Sequence, residues 1–307
     1  MIEVKKIADD APHSAFTDLI HWKGQFICAF RQGRGHVSAD GRVIVLISPD
    51  GETWTKAAEL KSPGLDLRDA SLSETPDGKL MLIGGASPRE ADGKSAPTGS
   101  FVAFSGDARV WTTPQIVAEP GRWLWRVTWH DGRAYGVSYA APTNHPVASL
   151  MVSDDGRKFT EAVPRLFDKG YPTEAVIRFA GDGTAYCLQR RDGKPEANSA
   201  YLGVSKAPYA EWEWNDLGLF FGGPNLLQLP DGQWIAAGRI MHDGAAKTDV
   251  ALLDVESNTL TSLLTLPSGG DTSYPGLVWR DGVLWVSYYS SHEGKTSIYL
   301  AKVRIAP

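Results

Sequence analysis

Short apolar runs, rich in β-branched and aromatic residues, fall along the chain in pairs, and each pair is broken by a turn that closes on glycine. Gly270–Tyr289 is the clearest case: two such runs flank Asp281-Gly282, with a tyrosine near the open end of each. Asp-Gly between runs of this kind is the strongest short-range hairpin signal. The unit recurs at Leu19–Phe30, Leu72–Ile83, Val127–Tyr135, Ile177–Tyr186 and Leu227–Ile235. The turn glycines Gly24, Gly78, Gly132, Gly183, Gly232 and Gly282 are 54, 54, 51, 49 and 50 residues apart. No long helical pattern accompanies them. A period near fifty built from short strands predicts an all-β six-bladed β-propeller of four-stranded antiparallel blades. Its blades fall near residues 12–62, 63–117, 118–168, 169–218, 219–267 and 268–307 of one domain spanning 1–307, and the segment 2–8 supplies an outer strand that closes the last blade. About fifty residues of sheet cannot bury a core alone, so each blade must stack on its neighbours.

A second, weaker repeat lies 21 to 27 residues after three of these glycines, where the outer hairpin of a blade belongs. Ser48-Pro-Asp50-Gly51-Glu-Thr53-Trp54, Ser105-Gly-Asp107-Ala-Arg-Val-Trp111 and Ser153-Asp-Asp155-Gly156-Arg-Lys-Phe159 resemble the Asp-boxes (BNR repeats) of the sialidase, or neuraminidase, superfamily. In such a turn the aspartate caps its own backbone and the aromatic packs between sheets. The motif speaks for architecture and not for chemistry.

Composition narrows the partners. The 307 residues are 42% hydrophobic, ample for one large β domain, and no linker or low-complexity tract divides them. A formal net charge of −5 disfavours nucleic acid or an anionic membrane as partner. Cys28 and Cys187 sit inside apolar runs of different blades and read as core filler. No stretch is long enough to span a membrane, and Met1-Ile-Glu-Val-Lys-Lys lacks a signal-peptide core. The chain as it stands therefore reads as cytoplasmic, and as secreted or periplasmic if a signal has been removed.

Hairpin geometry gathers the polar residues. A residue about eight places before each turn and one seven places after it pair side by side, roughly 25 Å from the turn, at one mouth of the central channel. The positions after the turn are Arg31, Gly85, Tyr139, Arg190, Arg239 and Tyr289; those before it are Phe16, Asp69, Trp123, Glu174, Gly223 and Tyr274. Three arginines on one rim imply an anionic ligand, because guanidinium forks bind carboxylates bidentately.

The resemblance to sialidases becomes specific here. In that family three arginines clamp a carboxylate, a tyrosine paired with a glutamate is the nucleophile, and an aspartate is the acid/base. It implies Tyr274 as nucleophile, Glu174 as its base and Arg190 as a clamp residue, with Arg239 as the third arginine and Lys247 as the alternative to it. Asp69, beside Arg68, resembles a second-blade residue that touches substrate. The family's first-blade Arg-Ile-Pro is replaced by Phe16-Thr17-Asp18, so Arg31 is expected to substitute in the clamp, and the acid/base is Asp40, His36 or Asp69. Trp125 and Arg126 are candidates for an aromatic wall and a fourth cation, and Tyr289 and His292 for rim contacts. There is no His/Cys cluster of metal-ligand spacing and no phosphate-cradling loop, so no cofactor is expected. The expected activity is that of a glycoside hydrolase acting on a terminal acidic sugar, with a propeller lyase or uronic-acid glycosidase, or a non-catalytic glycan-binding propeller, as alternatives. The altered clamp predicts a poor fit for ordinary N-acetylneuraminic acid.

Overall fold

The computed structural model describes residues 2–88, 98–118, 121–140, 146–194 and 197–305. It contains six four-stranded antiparallel sheets and is the expected six-bladed propeller. The innermost strands are His13–Trp22, Leu65–Glu74, Arg122–His130, Tyr171–Phe179, Gly222–Gln228 and Thr272–Arg280. Five blades follow chain order outward. The sixth is closed by Glu3–Ala8, which pairs with Ser297–Val303 so that both ends of the chain share one sheet.

All six turn glycines have left-handed backbone, with φ between 73° and 93°. Glycine adopts that conformation without a Cβ penalty, in the two-residue turns at Gly24, Gly132 and Gly282 and in the longer turns at Gly78, Gly183 and Gly232 alike. It explains why the period is visible in sequence. Second strands such as Gln25–Gly33 are buried almost throughout, whereas the outer strand Thr55–Leu60 is largely open. Blades stack face to face, so both sides of an inner strand lose water and only the perimeter keeps an exposed face.

The three Ser-Asp-aromatic turns close alike. Oδ1 of Asp50 accepts the amides of Glu52 and Thr53 at 2.8 and 3.0 Å, and Asp107 and Asp155 do the same two and three residues on. The Trp54 indole donates to Gly51 O, and the Trp111 indole to Ala108 O. Blade 4 has a related turn without the aspartate, in which Trp212 donates to Tyr209 O at 3.0 Å. Cys28 and Cys187 are buried free thiols.

Candidate active site at the channel mouth

Every inner hairpin carries the same irregularity. Two residues of the first strand bulge from the ladder at one level: Phe16 and Thr17, Asp69 and Ala70, Trp125 and Arg126, Thr173 and Glu174, Gly223 and Pro224, Tyr274 and Pro275. A bulge re-aims side chains that a regular ladder would send into the next blade. Phe16, Asp69, Gly223 and Tyr274 all have left-handed backbone there, with φ of 60°, 52°, 57° and 52°. For a non-glycine this costs on the order of 1–2 kcal/mol, and it persists where neighbours over-determine the geometry. Beneath Tyr274 those neighbours are explicit. The Thr17 hydroxyl donates to the Tyr274 carbonyl at 2.7 Å, while Arg126 and Asn225 donate to the Pro275 carbonyl at 3.3 and 3.0 Å.

The Tyr274 phenol donates a hydrogen bond to Oε1 of Glu174. Nη1 of Arg190 donates to the other oxygen, which the Gly223 amide also approaches at 3.2 Å. Burial, reinforced by the charge of Glu174, holds the phenol well above the usual tyrosine range. Burial by itself would also push Glu174 upward, but the charge of Arg190 and the hydrogen bonds from Tyr274 and Arg190 outweigh it, and its carboxyl lies below its usual range. The proton therefore rests on the phenol, facing an ionised acceptor. A hydroxyl and a base so arranged can become a nucleophile without a separate ionisation step. Gly223 makes room for the ring: a Cβ there would lie 2.9 Å from Cδ2 of Tyr274.

Asp69 occupies the equivalent bulge of blade 2. Burial raises its carboxyl above the usual range; Arg68, whose Nε donates to it at 3.3 Å, pulls it back, and the charge of Glu174 adds to the rise. A carboxyl that holds its proton more firmly than usual is suited to general-acid work. The Arg68 guanidinium also lies over the Phe16 ring, 4.7 Å from its centroid. Arg239 donates Nε to the Thr272 carbonyl at 2.8 Å and Nη2 to the Tyr289 hydroxyl at 3.2 Å, leaving Nη1 without a partner among the described residues. Arg190 divides itself between Glu174 and Asp192, to which its Nε donates at 2.9 Å.

Several expectations are corrected. Arg31 does not reach the mouth: it is completely buried, and its Nε and Nη2 grip Asp66 at 2.6 and 3.2 Å, with further bonds to Gly35 and Ser38. Arg126 points down the channel to Asp18 (3.0 Å) and the Pro275 carbonyl, as part of the floor. Trp125 is only 1% exposed and meets Tyr274 edge-on, 5.7 Å between centroids, so it packs against that phenol and forms no open wall. Asp40 caps its own loop through the Arg34 amide. His292 turns onto Ser290 and the Tyr299 ring. The blade-3 bulge lies at Trp125 and Arg126, two residues beyond Trp123, which instead pairs with Tyr139.

Sequence reasoning also missed Asp271 and His13. Tyr289 is fully buried and donates to Oδ1 of Asp271 at 2.8 Å; Oδ2 of the same carboxylate lies 3.1 Å from His13 Nε2 and 2.6 Å from His36 Nδ1. The Phe16 ring contacts both His36 (5.0 Å) and Tyr274 (5.1 Å) and so stands between them. Asp271 had a signal, standing three residues before Tyr274; His13 had none.

No family model and no curated protein matches the chain. Solved structures do. A protein of unknown function from Dyadobacter fermentans DSM 18053 superposes with a TM-score of 0.86 at 21% identity, over 99% of this chain and 98% of that one. The GH93 α-L-arabinofuranosidase of Fusarium graminearum, solved with arabinobiose, gives 0.74 at 14% identity over 97% and 96% of the two chains. Trypanosoma rangeli sialidase, solved with the inhibitor DANA, gives 0.73 at 12% over 95% of this chain; the match spans 55% of that enzyme. The fold is thus a sialidase-like six-bladed propeller, an architecture that also carries arabinan-degrading glycosidases.

Proposed function

We propose that the protein is a retaining glycoside hydrolase that cleaves a terminal sugar at this mouth. The observation that carries the reading is the Tyr274 phenol donating to an ionised Glu174 whose second oxygen is held by Arg190. In the first step the Tyr274 oxygen attacks the anomeric carbon as its proton passes to Glu174, and the leaving-group oxygen takes a proton from Asp69. In the second, water deprotonated by Asp69 displaces the tyrosyl oxygen, and Glu174 returns the proton to the phenol. The distant propeller neighbours that act on glycosides support the class of reaction. Arg68, Arg190 and Arg239 are proposed to receive an acidic group on the sugar, since each interacts electrostatically with the Tyr274 phenol.

One observation favours a neutral sugar as a second reading. Two of the three arginines, Arg190 and Arg239, already face an internal carboxylate, in Glu174 and Asp271, which offsets their charge. A panel of aryl sialosides, uronosides, ulosonosides and arabinofuranosides decides between them, with Tyr274→Phe as control. Turnover of an anionic member, lowered in Tyr274→Phe by a factor on the order of 10³ or more, is the expected result. Turnover confined to neutral arabinosides would remove the anion pocket, and full activity in Tyr274→Phe would remove the mechanism.

A further inference from the structure

We infer that His13, His36 and Asp271 form a binding site for a first-row divalent transition metal, zinc foremost, at the rim of the channel mouth. The proposal stands apart from the hydrolase reading. The three donor atoms lie within 4.8 Å of one another, although 258 residues separate His13 from Asp271. Around zinc, with bonds near 2.0–2.2 Å, neighbouring tetrahedral ligands sit about 3.4 Å apart. The His13 Nε2 to Asp271 Oδ2 separation of 3.1 Å is already close to that. The His36 pair, at 2.6 Å, opens to it with a movement under an ångström.

The protonation pattern points the same way. Without a metal, one carboxylate oxygen must accept N–H bonds from two imidazoles, and His36 must carry its proton on Nδ1. A cation replaces both protons at once. Asp271 is also oriented as a ligand should be: the Tyr289 hydroxyl holds Oδ1 at 2.8 Å and leaves Oδ2 turned towards the rings. His13 is buried, whereas the His36 side chain is 50% exposed on a loop, so a metal can enter from solvent and keep open positions for water or a sugar oxygen. Two imidazoles and one carboxylate suit zinc, cobalt or nickel and not calcium or magnesium, which prefer all-oxygen sets.

Two features make the site exchangeable. Nη2 of Arg239 lies 3.9 Å from Oδ1, and its charge opposes the cation. The His13 Nδ1, which would bear the proton, is buried with no partner. Both predict a metal that a chelator strips readily.

The test uses tag-free, chelator-treated full-length protein titrated with cobalt(II) and then zinc, followed by visible absorption and calorimetry. One cobalt per chain should bind, with the intense d–d bands of a four- or five-coordinate site, and zinc should displace it. His36→Ala, at a half-exposed loop position, should abolish the bands while circular dichroism shows the fold intact. Tyr289→Phe should weaken binding roughly tenfold or more. Absence of a stoichiometric site overturns the proposal. So does binding that survives in His36→Ala, since the metal would then lie elsewhere.

Discussion

Arg31 and Asp66 offer a test that separates scaffold from chemistry, because the sequence suggests a substrate clamp at Arg31 and the structure gives a buried ion pair. Both side chains are 0% exposed and two guanidinium nitrogens engage both carboxylate oxygens, at 2.6 and 3.2 Å. In Arg31→Met the methylene stem is kept and the charge is lost, which takes from the buried Asp66 carboxylate the guanidinium that engages both its oxygens. Breaking a buried pair from one side costs about 3–5 kcal/mol. With an unfolding entropy near 2.1 cal/mol/K per residue, the 307 residues give about 0.65 kcal/mol/K. The melting temperature should therefore fall by roughly 5–8 °C. Replacing both partners, as Arg31→Met with Asp66→Leu, removes the buried carboxylate as well and should restore part of that loss, since apolar replacements of buried pairs are often neutral. Differential scanning calorimetry supplies the melting temperatures, and KM for whichever glycoside proves active supplies the second readout. KM should be unchanged in Arg31→Met as long as it remains folded. An Arg31→Met protein that melts like the parent but shows a sharply raised KM would put the guanidinium in the clamp and refute the reasoning.

The other predictions concern the mouth itself. Gly223→Ala should lower kcat by about 10²-fold, the cost of displacing a catalytic group by an ångström, and lower stability by about 1–2 kcal/mol for a left-handed alanine; unaltered kcat would mean that the Tyr274 ring has slack. The profile of kcat/KM against pH should be a bell. Its acid limb falls below the usual carboxylate range, where Glu174 loses its ionised form, and its alkaline limb above that range, where Asp69 loses its proton; activity that rises monotonically to pH 9 would exclude Asp69 as the acid. Asp69→Asn should cost about 10²–10⁴-fold, largely recovered on aryl glycosides whose leaving groups need no proton, and an equal loss on good and poor leaving groups would count against the assignment. Thr17→Val, which removes the bond beneath the Tyr274 carbonyl, should lower kcat more than it raises KM; a change in KM alone would place Thr17 outside the support of the nucleophile.

The architecture was legible in sequence because one physical requirement, a left-handed glycine at each inner turn, repeats six times. Counting places from those turns put Tyr274 and Glu174 on one rim, the resemblance to sialidases paired them, and their side chains meet. The bulges were not foreseen. Nothing in the polarity pattern marks one extra residue in a strand that is buried on both faces, so Trp125 and Arg126 were assigned to the rim when one packs against Tyr274 and the other supports the floor. Arg31 was misplaced for a related reason. Its partner Asp66 lies on the next blade, and at the same rim level a guanidinium can turn outward to a ligand or sideways to a neighbour. Gly41 settles that choice structurally, because a Cβ there would lie 1.6 Å from Asp66 Oδ1, but its glycine reads in sequence as one more turn. His13 and Asp271 come together only when blade 6 closes on blade 1, which no local pattern encodes.

The order of the bulges around the ring has a consequence for how the protein can change. Blades 2, 4 and 6 present Asp69, Glu174 and Tyr274, while blades 1, 3 and 5 present Phe16, Trp125 and Gly223. Acidic or phenolic groups alternate with apolar ones, so the three reactive side chains stand roughly 120° apart about the axis of a six-membered ring. This spacing sets an aromatic side chain, Phe16 or Trp125, on either side of Asp69, whereas Gly223 leaves Glu174 and Tyr274 room to meet. Alternation of this kind exists only on a ring with an even number of members. Loss or duplication of a single blade, the commonest imaginable change in a repeat protein, would leave every sheet intact and yet set two like positions side by side. Parity binds the chemistry to the blade count more tightly than stability does, and new substrates are more readily reached by exchanging one bulge residue than by adding a repeat.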